Sequence, residues 1–119
     1  MKGKPIIINF WASWCPNCVA EMPAFNEVYL EYGDKVNFMM INLPGTRDET
    51  IASAKSYVET QEYSFPVYFD TTFEASNTYY AYYLPTTIFF DPQGNASAPY
   101  VGGLTANELR SKIANLLGE

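Results

Sequence analysis

The sequence holds two cysteines, Cys15 and Cys18, separated by two residues. A hydrophobic run over 5–11 predicts a buried strand before them, and Pro16 suits the first position of a helix. Backbone N–H groups and the helix dipole stabilise a thiolate at such a helix start. We therefore expect Cys15 to attack a disulfide. Cys18, one turn further along the same face, would then close an intramolecular disulfide with it.

Two other uses of the cysteine pair stay open from the residue types alone. A zinc site needs further ligands, and because the chain has no other cysteine and no histidine, carboxylates would have to complete it. A purely structural disulfide between Cys15 and Cys18 would close a very small loop and add little stability through chain entropy. The residues therefore favour a redox-active dithiol that uses no metal and no other cofactor.

The composition of the 119 residues, 48 % of them hydrophobic, predicts one globular domain over 1–119. A net charge of −6 argues against nucleic acid as a partner and leaves no basic patch for a membrane surface. No stretch of about 18 apolar residues is present, so no segment is expected to span a bilayer. The first strand begins within a few residues of Met1, which leads us to expect a domain cut from a longer precursor with a signal or anchor.

Hydrophobic periodicity and turn residues predict the element order β-α-β-α-(β)-α-β-β-α. The spacing of Thr46 and Glu49, and of Thr105 and Glu108, predicts capping boxes at the starts of the second and the last helix. Two βα units followed by a hairpin and a helix imply an α/β protein whose mixed central sheet has helices on both faces. The predicted strands cover 5–11, 35–43, 65–69, 86–90 and 96–101, and the predicted helices cover 16–33, about 47–60, 72–80 and 105–118.

The segment from Asn9 to Cys18, Asn-Phe-Trp-Ala-Ser-Trp-Cys-Pro-Asn-Cys, resembles the active-site signature of thioredoxin-like proteins. More closely, it resembles the extracytoplasmic TlpA/ResA-type thiol-disulfide oxidoreductases. The resemblance extends over nearly the whole chain, through Glu-Met-Pro at 21–23, Leu-Pro-Thr-Thr at 84–87 and Asp-Pro-Gln-Gly at 91–94. It implies the thioredoxin fold, with a mixed sheet of four to five strands and helices on both faces.

The resemblance also implies a substrate-binding surface around the cysteines. It implies a cis Leu84–Pro85 bond, so that the backbone of Leu84 faces the thiols and pairs with an extended substrate segment. From the sequence alone, a trans proline that opens a strand stays an alternative. Trp14 flanks the nucleophile and is expected to screen it. Tyr82 and Tyr83 either line the docking groove or belong to the core or an ordinary helix face.

Glu21 is the predicted proton carrier. Thioredoxins have a buried aspartate at the position that corresponds to Asn9, and an amide there cannot titrate. Glu21 lies three residues after Cys18 on the same helix face, and the resemblance assigns proton transfer to a carboxylate at this position. A partly buried carboxylate beside two thiols should have a raised pKa and exchange protons near neutral pH. The alternative is a solvated glutamate on the helix surface.

The resemblance implies a reductase of protein disulfides, outside the cytoplasm, that is periplasmic or membrane-anchored. The neutral Pro16 and Asn17 between the cysteines indicate a reducing couple, between about −270 and −200 mV. The expected partners are protein disulfides, as in cytochrome c maturation, other envelope thiol proteins or methionine repair, and a membrane or periplasmic electron donor. A monomer is expected.

Two alternative functions remain. One is a general cytosolic thioredoxin, against which Asn9, Glu21 and an insertion over about 44–63 argue. The other is a redox-inert binding module with the thioredoxin fold, against which the intact cysteine pair and the Pro85 segment argue.

Overall fold

The computed structural model describes residues 3–118. These residues form a five-stranded mixed sheet with the strand order β3-β2-β1-β4-β5. Strands β1, β2 and β3 run parallel, and β4 and β5 are antiparallel to their neighbours. The strands are β1 (Ile6–Trp11), β2 (Asn37–Asn42), β3 (Val67–Phe69), β4 (Thr86–Phe90) and β5 (Tyr100–Val101), and the helices are α1 (Pro16–Tyr32), α2 (Ile51–Gln61), α3 (Glu74–Thr78) and α4 (Ala106–Leu117).

Strand β1 lies in the middle of the sheet and is covered on both faces. Because successive side chains of a strand point to opposite faces, Ile7 and Trp11 belong to one hydrophobic cluster and Ile8 and Phe10 to the other. The first cluster includes buried side chains of α1, α2 and α4, and α3 adds Ala75 to the second. The predicted arrangement, a mixed sheet with helices on both faces, is therefore confirmed.

Helix α1 begins and ends at the predicted residues. Cys15 is its N-cap, Pro16 occupies the first position and the helix runs through Pro23 to Tyr32. Gly33 ends it with φ −60, so it is not the left-handed cap that glycine often supplies. A Cβ at Gly33 would lie 2.7 Å from the Tyr29 carbonyl oxygen. Glycine is needed here for this close approach of the backbone.

The predicted start of helix α2 is wrong. Thr46 and Glu49 form no capping box, and the helix begins at Ile51 with Thr50 as its N-cap. The Thr50 hydroxyl accepts a hydrogen bond from the Ser53 N–H, and the Ser53 hydroxyl accepts one from the Thr50 N–H. This Thr50–Ser53 box satisfies two of the N–H groups at the helix start without Glu49, whose carboxylate makes its contacts elsewhere.

The C-terminal elements support the cysteine helix. The predicted strand over 96–101 is shorter than expected, with β5 limited to two residues and one isolated bridge between Phe90 and Ala96. The predicted Thr105–Glu108 capping box is present at the start of α4. On the surface, the Arg110 guanidinium of α4 donates hydrogen bonds to carboxylates of α1.

Within residues 3–118 no helix is both long enough and apolar enough to cross a membrane.

Candidate active site

The two cysteines lie at the N-terminus of α1, directly after the turn that leaves β1. They are joined as a disulfide with a Cα–Cα distance of 5.2 Å. The Cys15 sulfur accepts a hydrogen bond from the Cys18 N–H at 3.2 Å, which is one of the free donors of the first helical turn. Cys15 is 4 % exposed and Cys18 is fully buried. Cys15 is thus the sulfur nearer to solvent, as the sequence predicts for the attacking residue.

Glu21 is buried one turn behind Cys18, with 3 % of its surface exposed. One carboxylate oxygen, Oε2, accepts a hydrogen bond from Asn9 Nδ2 at 2.7 Å, and the other, Oε1, accepts one from the Leu104 N–H at 3.0 Å. Burial raises the pKa of Glu21 to about 7, although both hydrogen bonds act to lower it. Glu21 is therefore not a solvated surface residue, and its carboxyl gains and loses a proton near neutral pH.

Asn9 connects Glu21 to the strand that follows Pro85. Its Nδ2 also donates to Thr87 Oγ1 at 3.0 Å, because Asn9 of β1 stands opposite Thr87 of β4. Its Oδ1 is buried and has no hydrogen-bond partner among the described residues. A half-turn of the amide places Oδ1 where it accepts a hydrogen bond from protonated Glu21, and the Thr87 hydroxyl can donate as well as accept. The site therefore accommodates both protonation states of the carboxyl.

The Pro85 segment lies beside the cysteine turn. The Leu84–Pro85 bond is cis, as the resemblance implies. Thr86 directly after it pairs with Phe10 near the end of β1, which brings the segment close to the turn that carries Cys15. Leu84 is half-buried and contacts both hydrophobic clusters. The backbone of this segment is therefore well placed to meet a chain that approaches the sulfurs.

A groove of about 650 Å³ opens between Trp14 and the Pro85 segment. Tyr82 and Tyr83 lie on its wall and are 64 % and 74 % exposed, so they are groove residues and not core residues. Of the two placements that the sequence left open for these tyrosines, the structure supports the groove. The full lining is Trp14, Leu43, Thr46, Arg47, Phe73, Ser76, Asn77, Ala81, Tyr82, Tyr83 and Leu84.

Sequence reasoning missed a second buried carboxylate, Glu49, which is 4 % exposed. It accepts hydrogen bonds from the Ser13 N–H and hydroxyl, both at 2.6 Å, from Asn42 Nδ2 at 2.9 Å and from the Ser53 hydroxyl at 2.7 Å. Burial raises the pKa of Glu49, but these hydrogen bonds outweigh it and hold the pKa below 4.5. Glu49 is therefore a charged anchor for the turn that precedes Cys15.

Thr46 and Arg47 were also missed, and both contact Trp14. The Trp14 Nε1–H donates to the Thr46 hydroxyl at 2.9 Å, and that hydroxyl donates to the Leu43 carbonyl at 2.7 Å. The Arg47 guanidinium lies 4.7 Å from the centroid of the Trp14 ring. The only sequence signal was the Thr46–Glu49 spacing, which is typical of a capping box and here serves the active site instead.

Residues 1–98 match the AhpC/TSA family. The chain belongs to this family. It is 32 % identical over 117 residues to the thiol-disulfide oxidoreductase ResA of Oceanobacillus iheyensis, covering 98 % of this chain and 59 % of the relative. It is 30 % identical over 112 residues to the thioredoxin-like protein YneN of Bacillus subtilis, covering 94 % of this chain and 65 % of the relative. The chain thus spans less than two thirds of these relatives.

Solved structures of similar proteins confirm the thioredoxin fold for this member of the AhpC/TSA family. StoA from Bacillus subtilis matches with a TM-score of 0.84 and 27 % identity, over 93 % of this chain and 83 % of that one. The exposed lipoprotein thioredoxin Etrx1 from Streptococcus pneumoniae matches with a TM-score of 0.85 and 28 % identity, over 96 % and 86 %. The resemblance to ResA-type proteins stated from the sequence is therefore confirmed.

A metal has no evident place at the site. Among residues 3–118, no three side chains of His, Cys, Asp or Glu lie close enough together to hold a metal ion. The buried carboxylates of Glu21 and Glu49 each use both oxygens as hydrogen-bond acceptors within the protein. That the chain works without a metal or other cofactor remains a prediction.

Proposed function

We propose that this chain is a thiol-disulfide oxidoreductase domain that reduces protein disulfides outside the cytoplasm. The observation that carries the proposal is the cysteine pair at the start of α1, with the buried Glu21 carboxyl one turn behind it on the same helix. An inert disulfide needs no acid with a pKa of about 7 beside it. A dithiol that must gain and lose protons near neutral pH does need one.

The reaction begins with the reduced protein. The Cys15 thiolate attacks one sulfur of the substrate disulfide, and the other substrate sulfur leaves as a thiolate that takes up a proton. Cys18 then attacks the Cys15 sulfur of the mixed disulfide and releases the second substrate thiol. The substrate gains two electrons and two protons, and the protein is left with the Cys15–Cys18 disulfide seen in the structure.

Glu21 is proposed to take the proton of Cys18 during the second step. Cys18 is fully buried, so its thiol has little access to water and needs a nearby base. A carboxylate with a pKa of about 7 is partly ionised at neutral pH and able both to accept this proton and to release it to the departing thiol. Asn9 and the Leu104 N–H hold the carboxylate in place for this exchange.

The groove beside Trp14 is proposed to hold the substrate segment. Leu84, Tyr82 and Tyr83 form one wall, and their aromatic and backbone groups offer both apolar contact and hydrogen bonds. A strand-like segment next to the substrate cysteine pairs with the backbone of Leu84 in this proposal. The size of the groove, about 650 Å³, fits a few side chains and not a folded domain.

A location outside the cytoplasm is supported by the relatives. Etrx1 of Streptococcus pneumoniae is an exposed lipoprotein, and the ResA relative extends well beyond the part that this chain matches. We propose that the full-length protein is periplasmic or membrane-anchored, receives electrons from a membrane or periplasmic donor and acts as a monomer. Fractionation of cells that express the full-length protein tests the location, and recovery in the cytosol would favour the general thioredoxin alternative.

The catalytic proposal is tested with the two cysteine variants. Cys18→Ser should accumulate mixed disulfides with substrate proteins, because Cys15 attacks and nothing resolves the product. Cys15→Ser, the matched control, should trap far less. Both variants should lose catalysed reduction of insulin by dithiothreitol, which the wild-type protein should support. Insulin reduction at the uncatalysed rate by the wild-type protein, with no trapped species for Cys18→Ser, would show that the chain is a redox-inert module.

The role of Glu21 is tested separately by the rate of the second step. Glu21→Gln keeps the shape of the side chain but cannot accept a proton, so resolution of the mixed disulfide at pH 7 should slow by about 10²-fold. The pH dependence of that rate near pH 7 should also disappear. Unchanged rates across the pH range would remove Glu21 from the mechanism and leave the cysteines as the only catalytic residues.

A further inference from the structure

Arg47 is the one charged residue in the lining of the substrate groove within the described part of the chain. The remaining lining residues are aromatic, aliphatic, hydroxyl or amide side chains. The chain as a whole carries a net charge of −6, so this positive charge differs from most of the surface. The salt bridges formed by residues 3–118 involve Arg110 and not Arg47, which leaves the guanidinium available to a ligand.

The backbone conformation at Arg47 is unusual and is held in place by the active-site turn. Arg47 and Asp48 have φ angles of 43° and 65°, in the left-handed region that residues other than glycine rarely occupy. The Glu49 N–H donates to the Thr46 carbonyl at 2.8 Å, and the Glu49 carbonyl accepts from the Gly45 N–H at 2.7 Å. These bonds close the turn over 45–49. The Glu49 carboxylate links this turn to the cysteine turn by accepting hydrogen bonds from the Ser13 N–H and hydroxyl.

This turn sets the position of the Arg47 guanidinium relative to the nucleophile. The guanidinium carbon lies over the ring of Trp14, the residue directly before Cys15, at 4.7 Å from the ring centroid. The N–H groups of a guanidinium lie around the edge of its plane, and no carboxylate of the described residues pairs with those of Arg47, so they can donate to a carboxylate in the groove. A carboxylate that meets this edge gains two parallel charge-assisted hydrogen bonds, which an amide of the same shape does not match.

We propose that Arg47 is a specificity residue that selects substrate disulfides flanked by aspartate or glutamate. This inference rests on the proposed function, since it names the substrate class of the same groove. Among the described residues, no carboxylate forms an ion pair with the Arg47 guanidinium. Asp48 is exposed and is not part of the groove lining, and both oxygens of the Glu49 carboxylate are occupied by Ser13, Asn42 and Ser53.

The test uses three peptides that contain one disulfide and differ only at the residue next to a cysteine, which is Asp, Asn or Lys. The measured quantity is the second-order rate constant for the single-turnover reduction of each peptide by the pre-reduced wild-type protein. We expect the Asp peptide to exceed the Asn peptide by about three- to tenfold at low salt, with the Lys peptide lowest. At about 0.5 M salt the preference should shrink, because the Debye length falls well below 10 Å.

Variants assign the preference to Arg47. Arg47→Gln should bring the Asp-to-Asn ratio close to 1, and Arg47→Lys should keep part of it, since the charge remains without the planar guanidinium. Lys35→Gln is the matched control because Lys35 is also exposed and precedes β2, at the opposite end of the sheet from the groove. It removes the same charge and should leave the ratio of the wild-type protein unchanged.

The outcomes separate this inference from the proposed function. Equal rates for the Asp and Asn peptides with the wild-type protein, or a preference that survives in Arg47→Gln, would overturn the role of Arg47 while the reductase proposal stands. A wild-type protein that reduces none of the three peptides and does not reduce insulin would overturn the proposed function and this inference together.

Discussion

The side-chain amide of Asn9 lies 2.7 Å from the carboxylate of Glu21, and together they replace the single buried aspartate that the resemblance to thioredoxins would place on β1. The ionisable group, Glu21, lies on the cysteine helix α1, and β1 supplies a neutral hydrogen-bond donor to it, Asn9. This arrangement puts the acid on the same helix as both sulfurs.

Glu21→Gln should change how stability depends on pH. Because burial raises the folded-state pKa from 4.5 to about 7, the folded wild-type protein binds a proton between these values that the unfolded chain releases. Its stability is therefore full below about pH 4.5 and falls as the pH rises through 7, by about 3 kcal/mol in total. Glu21→Gln should not show this fall, so it should be the more stable protein at pH 8.

Thermal unfolding of the oxidised protein from pH 4 to 8 measures this difference. The exposed Glu59→Gln is the control and should follow the wild-type curve. Parallel curves for wild type and Glu21→Gln would mean that the Glu21 carboxyl titrates as it does in the unfolded chain.

Asn9→Asp should be strongly destabilising at neutral pH. It would place two buried carboxylates with oxygens about 2.7 Å apart, and such a pair shares one proton because both cannot ionise. We expect a loss of about 3 kcal/mol or more at pH 8, recovering as the pH falls and the pair becomes protonated. Asn107→Asp adds the same charge at an exposed position of α4 and should change the melting temperature little. Equal melting temperatures for both variants at pH 8 would contradict the prediction.

Glu49→Gln should destabilise the protein in the opposite pH range. The ionised carboxylate has a folded-state pKa below 4.5, so it contributes stability above that pH and loses it as the pH falls through the folded-state pKa. Its replacement should cost about 1–3 kcal/mol at pH 7, and the difference from wild type should shrink as the pH falls through the folded-state pKa. Denaturant unfolding at a series of pH values from 7 downward measures it. A cost that stays constant with pH would indicate lost packing and not a lost charge.

The reduction potential should lie between about −270 and −200 mV. Pro16 and Asn17 are neutral and exposed, so neither adds a charge that would stabilise the Cys15 thiolate beyond the effect of the helix start. Equilibration with glutathione buffers of known ratio, followed by acid trapping of the thiols, gives the value. A potential near about −120 mV would instead identify a strong oxidant and reverse the proposed direction of electron flow.

The sequence predicted the parts of the site that depend on local spacing. The helix that starts at the cysteines and the Thr105–Glu108 cap both follow from residues a few positions apart. The raised pKa of Glu21 was also predicted, because three residues along a helix keep Glu21 on the face of Cys18. The cis Leu84–Pro85 bond came from the resemblance and had no local signal.

The Glu49 network was beyond such reasoning because its contacts are distant along the chain. The Thr46–Glu49 spacing is compatible with a capping box and equally with a Glu49 carboxylate that binds residues distant along the chain, and the sequence does not distinguish the two. Ser13 lies 36 residues from Glu49, so only the fold shows that they meet. For the same reason the place of Arg47 over Trp14 could not be predicted from the sequence.

The hydrogen bond from the Leu104 N–H to Glu21 spans 83 residues and begins beyond residue 98, where the family match ends. Domain boundaries drawn from that match alone would include both cysteines but omit Leu104, whose N–H donates a hydrogen bond to the Glu21 carboxylate. A fragment or fusion protein designed on such boundaries would also lose β5 and the buried side chains of α4, so α1 would lack part of the core that it packs against. Expression designs for related sequences should extend through the last helix.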